Sequence, residues 1–340
     1  MSEGAPEPGR GVGWLAWLSG ALLLLVVILV ATHAAEEREI AALLRQARPL
    51  ALLVAAVLQL GTYVCAAGVW YCALNRPPHP SLRSLVPLGL AKLFTDQVAP
   101  SGGLSGTLLV VRALTHRRVA RGDAVAAMLI GLAAFYYAYA IAVAVAVVAL
   151  AVLGSLDRFE LVLAGVLGLV AGVIPAVLLG ERRLIAPARL PEWLQRIPGV
   201  RTMLGILAEL PPGALWHPRM AAETIGLQLA IFVLDAATLA ATLAAVGAEP
   251  SFAIAFPSFV FASVIATLAW MPGGIGTFEG SSVFLLRSHG VPIEAALAAT
   301  LLLRALTFWL PMLPGLVLAR RELRLPGGNQ RAGTSPDTTG

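Results

Sequence analysis

Charge is what this sequence has least of. Only 13% of its 340 residues are charged and 58% are hydrophobic, where a soluble domain carries roughly a quarter charged. A water-soluble core with a solvated shell is excluded by that shortage. Cysteine is nearly absent too. Cys65 and Cys72 share one apolar run, and seven residues of helix set their Cα atoms ~10 Å apart, too far for a disulfide. The five histidines (His33, His79, His116, His217 and His289) fall at segment ends. No spacing of histidine with cysteine or acid reads as a metal motif, so neither a metal nor another cofactor is expected. The net charge of +5 does not mark a nucleic-acid binder, because the basic residues sit in short loops between apolar runs.

Uncharged runs are present in quantity, and a bilayer span needs ~20 apolar residues. Six runs qualify: Trp14–His33, Pro49–Asn75, Ala124–Leu156, Leu161–Gly180, Thr224–Ala248 with Asp235, and Ala295–Ala319 with Arg304. The first is read as a retained helix, since Ala31-Thr32-His33-Ala34-Ala35 is a poor signal-peptide cleavage site. Ala124–Leu156 is read as one long or tilted helix.

Two further apolar stretches are broken in the middle. Ser84–Val111 is interrupted at Ala99-Pro100-Ser101-Gly102-Gly103, and Phe252–Leu286 at Met271-Pro272-Gly273-Gly274. Proline removes an amide donor and glycine permits a tight reversal. Inside a membrane such a break is tolerated only where protein or a watery cavity covers it. The pattern predicts two re-entrant helical hairpins, against a reading as ordinary kinked spans.

The basic clusters support the hairpins. Arg112–Arg121, Arg182–Arg219 and Arg320–Arg324 all fall on the side of Arg10 if there are six spans and two hairpins, and by the positive-inside rule that side is cytoplasmic. Both termini are then cytoplasmic, and the hairpins enter from opposite sides. The prediction is an all-α integral membrane protein with six transmembrane helices and two re-entrant hairpins arranged as inverted repeats. It forms a single polytopic domain over 1–325, with halves near 14–156 and 161–319. An amphipathic cytoplasmic loop is expected over 181–219 and a disordered tail over 326–340.

A charge at the bilayer centre costs at least ~2.5–3.5 kcal/mol, so those in the apolar stretches need partners or a polar cavity. Lys92 and Arg112 lie at edges from which they can snorkel to the cytoplasmic surface. Asp235 and Arg304 lie about half-way along their runs. They are expected to share one polar environment, as a structural ion pair, across a functional cavity, or both. Glu279 falls on the first turn after Pro272, Gly273, Gly274 and Gly276. It is either a capping acid favoured by the helix dipole or a cation or proton site. The freed amides at that turn suit a phosphate or carboxylate.

At these residues a resemblance enters. Leu268-Ala-Trp-Met-Pro-Gly-Gly-Ile-Gly-Thr-Phe-Glu279 resembles the Pro-Gly-Gly-x-Gly-x-x-Glu motif of the lysylphosphatidylglycerol synthase transmembrane family, the flippase-like domain of the multiple peptide resistance factor. Asp96-Gln-Val-Ala-Pro-Ser-Gly-Gly-Leu-Ser-Gly, running on to Arg112, resembles that family's earlier Pro-Gly-x-x-Gly…Arg element, with one extra residue before Gly102-Gly103. The resemblance covers roughly Trp14 to Ala319. It implies a multi-pass protein of the cell membrane that moves or handles a polar phospho- or glycolipid. The chain ends about twenty residues after the last run, so the soluble aminoacyltransferase domain of bifunctional relatives is expected to be absent, and no enzymatic activity is expected.

The residues assigned to substrate are Asp96, Pro100, Gly102, Gly103, Arg112, Asp235, Pro272, Gly273, Gly274, Gly276, Glu279 and Arg304. The arginines would attract a lipid phosphate; the acids would take a cationic headgroup, a proton or a salt-bridge partner. The expected partner is a membrane lipid with a phosphate-containing headgroup; the alternative readings are a non-catalytic membrane partner of a lipid-modifying enzyme and a membrane-embedded lipid transferase. The oligomeric state is left open.

Overall fold

A computed structural model describes residues 45–74, 80–98, 104–179, 218–269 and 274–324. The first apolar run, most of the 181–219 loop, the first hairpin break, the second break up to Gly273, and the tail lie outside these residues. Among the described residues every regular element is helical. The helices are α1 (Pro49–Ala73), α2 (Leu82–Val98), α3 (Leu104–His116), α4 (Arg121–Val152), α5 (Arg158–Leu179), α6 (Pro218–Ala245), α7 (Phe252–Leu268), α8 (Thr277–Ser288), α9 (Ile293–Arg304) and α10 (Leu310–Arg324). A π-helical turn, Ala305–Trp309, joins α9 to α10.

Four of these stretches are long and apolar enough to cross a bilayer: Pro49–Ala73, Arg121–Val152, Pro218–Ala245 and Ile293–Leu323. Their outward faces are apolar as well. Leu50, Val57, Val148 and Leu313 are among many large hydrophobic side chains left uncovered, which in water would be an aggregation surface and in lipid is the solvent-matched face. The chain is an integral membrane protein. Arg121–Val152 is one continuous helix of 32 residues, as its uncharged run predicts.

The spine of the bundle is α1 against α6. The pair is antiparallel: the Arg48 amide at the start of α1 donates to Ala245 O at the end of α6 at 2.8 Å. Glycines set the approach. A Cβ on Gly61 would stand 3.3 Å from Leu234 Cδ1, and one on Gly68 3.2 Å from Leu227 Cδ1. Both pairs obey one antiparallel register, with each leucine seated over a glycine two turns from the next. Small residues of this kind let membrane helices come close enough for dispersion to hold them.

Both broken stretches fold as helix pairs that double back. Ser105 Oγ donates to Thr95 O at 3.1 Å between α2 and α3, and Phe259 meets Phe278 edge-on between α7 and α8. The two pairs pack at opposite ends of the bundle. α2 and α3 pack into a core with the end of α1 and the starts of α4 and α6 (Trp70, Leu88, Leu114, Ala127, Met220). α7 and α8 pack into a second core with the ends of α4 and α6 and the start of α9 (Leu150, Leu243, Val260, Leu285, Ala296). Contacts are reciprocal: α2 packs on α1 and α10, while α7 packs on α6 and α4.

The α2–α10 crossing is the tightest of these. A Cβ on Gly315 would sit 2.7 Å from Leu90 O and 2.8 Å from Phe94 Cβ. Neither neighbour is a flexible tip, so the helices would have to separate. Overpacking of this kind costs ~1–3 kcal/mol. Gly315→Ala is expected to lower the thermal stability of the purified protein, whereas Gly165→Ala, with open space around it, is expected to leave it unchanged or raised.

Candidate functional site

Each hairpin carries an acid at the point where its second helix begins, and each acid holds both a freed amide and a cation. In the second hairpin, Gly274 has φ 63° and Gly276 φ 79°, a region that side-chain-bearing residues avoid. Gly274 is also sealed sterically, since a Cβ there would lie 2.9 Å from Ala266 Cβ on α7. Thr277 Oγ1 donates to Gly274 O at 3.0 Å and tightens the turn. Gly276 is the N-cap of α8. Its N–H donates to Glu279 Oε2 at 2.7 Å, so Glu279 takes up one of the amide donors that a helix start leaves over.

The other oxygen of that carboxylate faces a cation. Arg304 Nε donates to Glu279 Oε1 at 2.6 Å, and the two side chains are only 12% and 20% exposed. The guanidinium lies over two rings, 5.4 Å from the Phe278 centroid and 4.5 Å from that of Phe308, within the range of cation–π attraction. Arg304 is the last residue of α9 before the π turn. That wider turn re-aims the following side chains, Phe308 among them; π turns recur at functional sites. Below the ion pair, Ser282 and Thr300 share a buried hydrogen bond of 3.0 Å, which fixes α8 against α9. Sequence reasoning puts Arg304 in one polar environment with Asp235, as an ion pair, across a cavity, or both; the structure gives Arg304 a salt bridge to Glu279, because the chain reversal swings α8 across α9.

The first hairpin repeats the arrangement in a different idiom. The Gly106 N–H, at the start of α3, donates to Asp96 Oδ1 at 2.9 Å. Lys92 Nζ lies 2.5 Å from Asp96 Oδ2, and these side chains are 27% and 20% exposed. Lys92 therefore does not snorkel to the surface; it is bound one helical turn from its acid. Gly106 is obligatory here, since a Cβ would fall 2.3 Å from Asp96 Oδ1. Asp96 comes from the first helix of its hairpin and Glu279 from the second, yet both close the N-terminus of a second helix.

The remaining predicted residues divide. Arg112 is exposed and sits near the far end of α3, where its Nη2 donates to Leu323 O at 3.4 Å. The neighbouring Arg117 grips Glu322 with both terminal nitrogens, at 2.6 and 3.0 Å. This joins the basic end of α3 to the basic end of α10, two clusters that are separate in sequence. Asp235 stands apart from both acid sites on the α1–α6 spine, beside Gln59 and Tyr63. Pro100, Gly102, Gly103, Pro272 and Gly273 lie outside the described residues.

A cleft of ≈ 740 Å³ opens at the end of the bundle where α6 finishes and α9 starts, lined by Gln46, Glu249, His289 and Glu294 among others. Its α9 wall ends at Ala295, ~13 Å along the helix from Arg304 at 1.5 Å per residue. It is therefore separate from the ion pair.

Sequence reasoning missed the aromatic walls around Arg304 and the Lys92–Asp96 bond. The second was signalled by i, i+4 spacing; the first required the fold. No curated protein matches the chain. The family described as the lysylphosphatidylglycerol synthase TM region matches residues 14–315. With that match across most of its length, and with a bundle of apolar helices around paired charges, the chain belongs to the lysylphosphatidylglycerol synthase transmembrane-region family.

Proposed function

We propose that this protein is a lipid flippase-like transporter of the cytoplasmic membrane, which moves a polar lipid with a phosphate-bearing headgroup between leaflets without covalent chemistry. The observation that carries the reading is the Glu279 carboxylate, bound at once by the Gly276 amide and by Arg304. An anion is already seated on a helix N-terminus and a guanidinium, the donors that also recognise phosphate. A lipid phosphate entering the site would compete with Glu279 for those donors. Glu279 then acts as an internal stand-in for the headgroup, holding Arg304 in place when no lipid is bound. The family's association with membrane lipids supports this reading.

The six-span topology belongs to the same proposal. Hairpins that enter from opposite ends and pack reciprocally support an inverted repeat, in which α1 and α6 are equivalent and α4 matches α9–α10. Half-helices of 17, 13, 17 and 12 residues are ~18–26 Å long, short of the ~30 Å hydrocarbon core. Such broken segments mark midplane substrate sites in inverted-repeat transporters. The matching acid sites at Asp96 and Glu279 would serve the two leaflets in turn, with both termini and the basic clusters cytoplasmic.

Accessibility labelling of single cysteines tests the topology: positions 36 and 289 are expected to react from outside, and 117, 195 and 330 from inside. Labelling of 117 and 289 from the same side would remove the inverted repeat. Lipid translocation by purified protein in liposomes tests the site. The charge-assisted bond between Glu279 and Arg304 is worth ~1.5–3 kcal/mol, so Glu279→Gln is expected to slow translocation roughly ten- to a hundredfold while the protein stays folded. Wild-type rates from that variant would reduce Glu279 to a helix cap.

A further inference from the structure

The two rings at Arg304 are not equivalent, although both lie within cation–π range of its guanidinium. Phe278 stands on α8 beside Glu279, and Gly276 caps the same helix. Carboxylate, capping amide and first ring therefore belong to one half of the second hairpin. Phe308 stands on the π turn, four residues after Arg304. Here α9, the π turn and α10 run on as one apolar span, Ile293–Leu323. Arg304 and Phe308 are thus neighbours along one continuous helix, as residues four apart are.

That difference matters once Glu279 gives up its place. Any movement of α8 relative to α9 would take Glu279, Gly276 and Phe278 from Arg304 together. It would not take Phe308, whose contact with Arg304 is made within its own helix. Phe308 is also the nearer ring, with its centroid 4.5 Å from the guanidinium against 5.4 Å for Phe278. It is 2% exposed, and a cation is attracted most strongly to a ring where water is excluded.

The state that needs such a ring is the one between anions. While Glu279 is seated, its carboxylate balances the guanidinium at 2.6 Å and repels the negative face of the ring. When the carboxylate leaves, a largely buried cation loses its counter-charge, which is the costly condition for any buried ion pair. The ring then attracts the guanidinium with no anion opposing it.

We propose that Phe308 is a positioning residue that carries Arg304 through the exchange of its anions, its ring holding the guanidinium while Glu279 leaves and a lipid phosphate arrives. The proposal rests on the transport reading above and adds the residue that makes the exchange fast. In both end states the guanidinium has an anionic oxygen, from carboxylate or phosphate, and the ring contributes alike to each. Between them the ring contributes more. Stabilisation confined to the intermediate state raises turnover without tightening lipid binding. Packing alone is a different role: it asks for a large apolar side chain at 308, whatever the charge on the ring face.

Progressive ring fluorination of Phe308 separates the two roles, because fluorine withdraws charge from the ring face and keeps the ring in place. The full chain carrying each fluorinated phenylalanine is purified and placed in liposomes with a fluorescent phospholipid. Turnover is expected to fall step by step as fluorines are added. With the fully fluorinated ring it should be roughly thirtyfold slower, the ~2 kcal/mol of a desolvated cation–π contact at ~1.4 kcal/mol per tenfold. The half-saturating lipid content is expected to stay unchanged. The same series at Phe256, a buried ring that packs on Phe252, is expected to keep the wild-type rate. Melting supplies a readout that needs no transport. Full fluorination at 308 is expected to lower the melting temperature more in Glu279→Gln than in the wild-type background, since Arg304 there depends on the ring. If Glu279→Gln does not fold, the turnover series decides alone. Three results would overturn this proposal alone beside an active wild-type protein: a flat series at 308, an equal slowing at 256, or equal melting shifts in both backgrounds. A wild-type protein that moves no lipid would overturn the transport reading and this proposal with it.

Discussion

A backbone amide with no partner cannot stay inside a bilayer, and the rest of this architecture follows from how that demand is met. Helices broken part-way along an apolar stretch leave over the first amides of their second halves. Here carboxylates take them up. Asp96 accepts from Gly106 and Glu279 from Gly276. A carboxylate brought in for that purpose carries a charge needing its own partner, and Lys92 and Arg304 supply it. Breaking the helix thus requires an acid, and the acid requires a base. What results is a pair of polar sites inside an otherwise apolar bundle.

The same constraint explains why the glycines differ in kind. Gly274 and Gly276 adopt positive φ so that the chain can reverse. Gly106 leaves room for a carboxylate to touch its amide. Gly61, Gly68 and Gly315 let helices approach each other. Close approach fixes the spine in register, and that register delivers Asp235 to mid-depth beside Gln59. Each hairpin meanwhile packs on one helix of its own half and one of the other, while the Arg304 site is assembled from the consecutive elements α8, α9 and the π turn.

The ion pairs away from the apolar zone play another part. Arg117 with Glu322 joins two basic segments at one end, and Arg48 with Glu249 joins α1 to the residues after α6 at the other. The second pair is largely exposed, and exposed pairs add little stability. Their value is positional, because they lie where the spine and hairpins begin and end.

Much of this was legible in the residues alone. Uncharged runs gave the helices nearly to their ends, because a bilayer span must be apolar along its whole length. Pro100 with Gly102-Gly103, and Pro272 with Gly273-Gly274, announced the breaks. The resemblance at Leu268–Glu279 pointed to the family that matches residues 14–315. The partners of the buried charges were beyond such reading. Asp235 and Arg304 are each the one charge in their runs, which by composition alone points to a shared polar environment, whereas the salt bridge of Arg304 is to Glu279. Apolar periodicity says that a helix forms; it does not say which neighbour faces a given side chain when most faces are apolar. By itself the sequence determined the helices, their breaks and the cost of every buried charge, since these depend on local composition and on the solvent. Only the tertiary structure decided which charges meet, because that depends on the rotation and register of helices packed over glycines far apart in the chain.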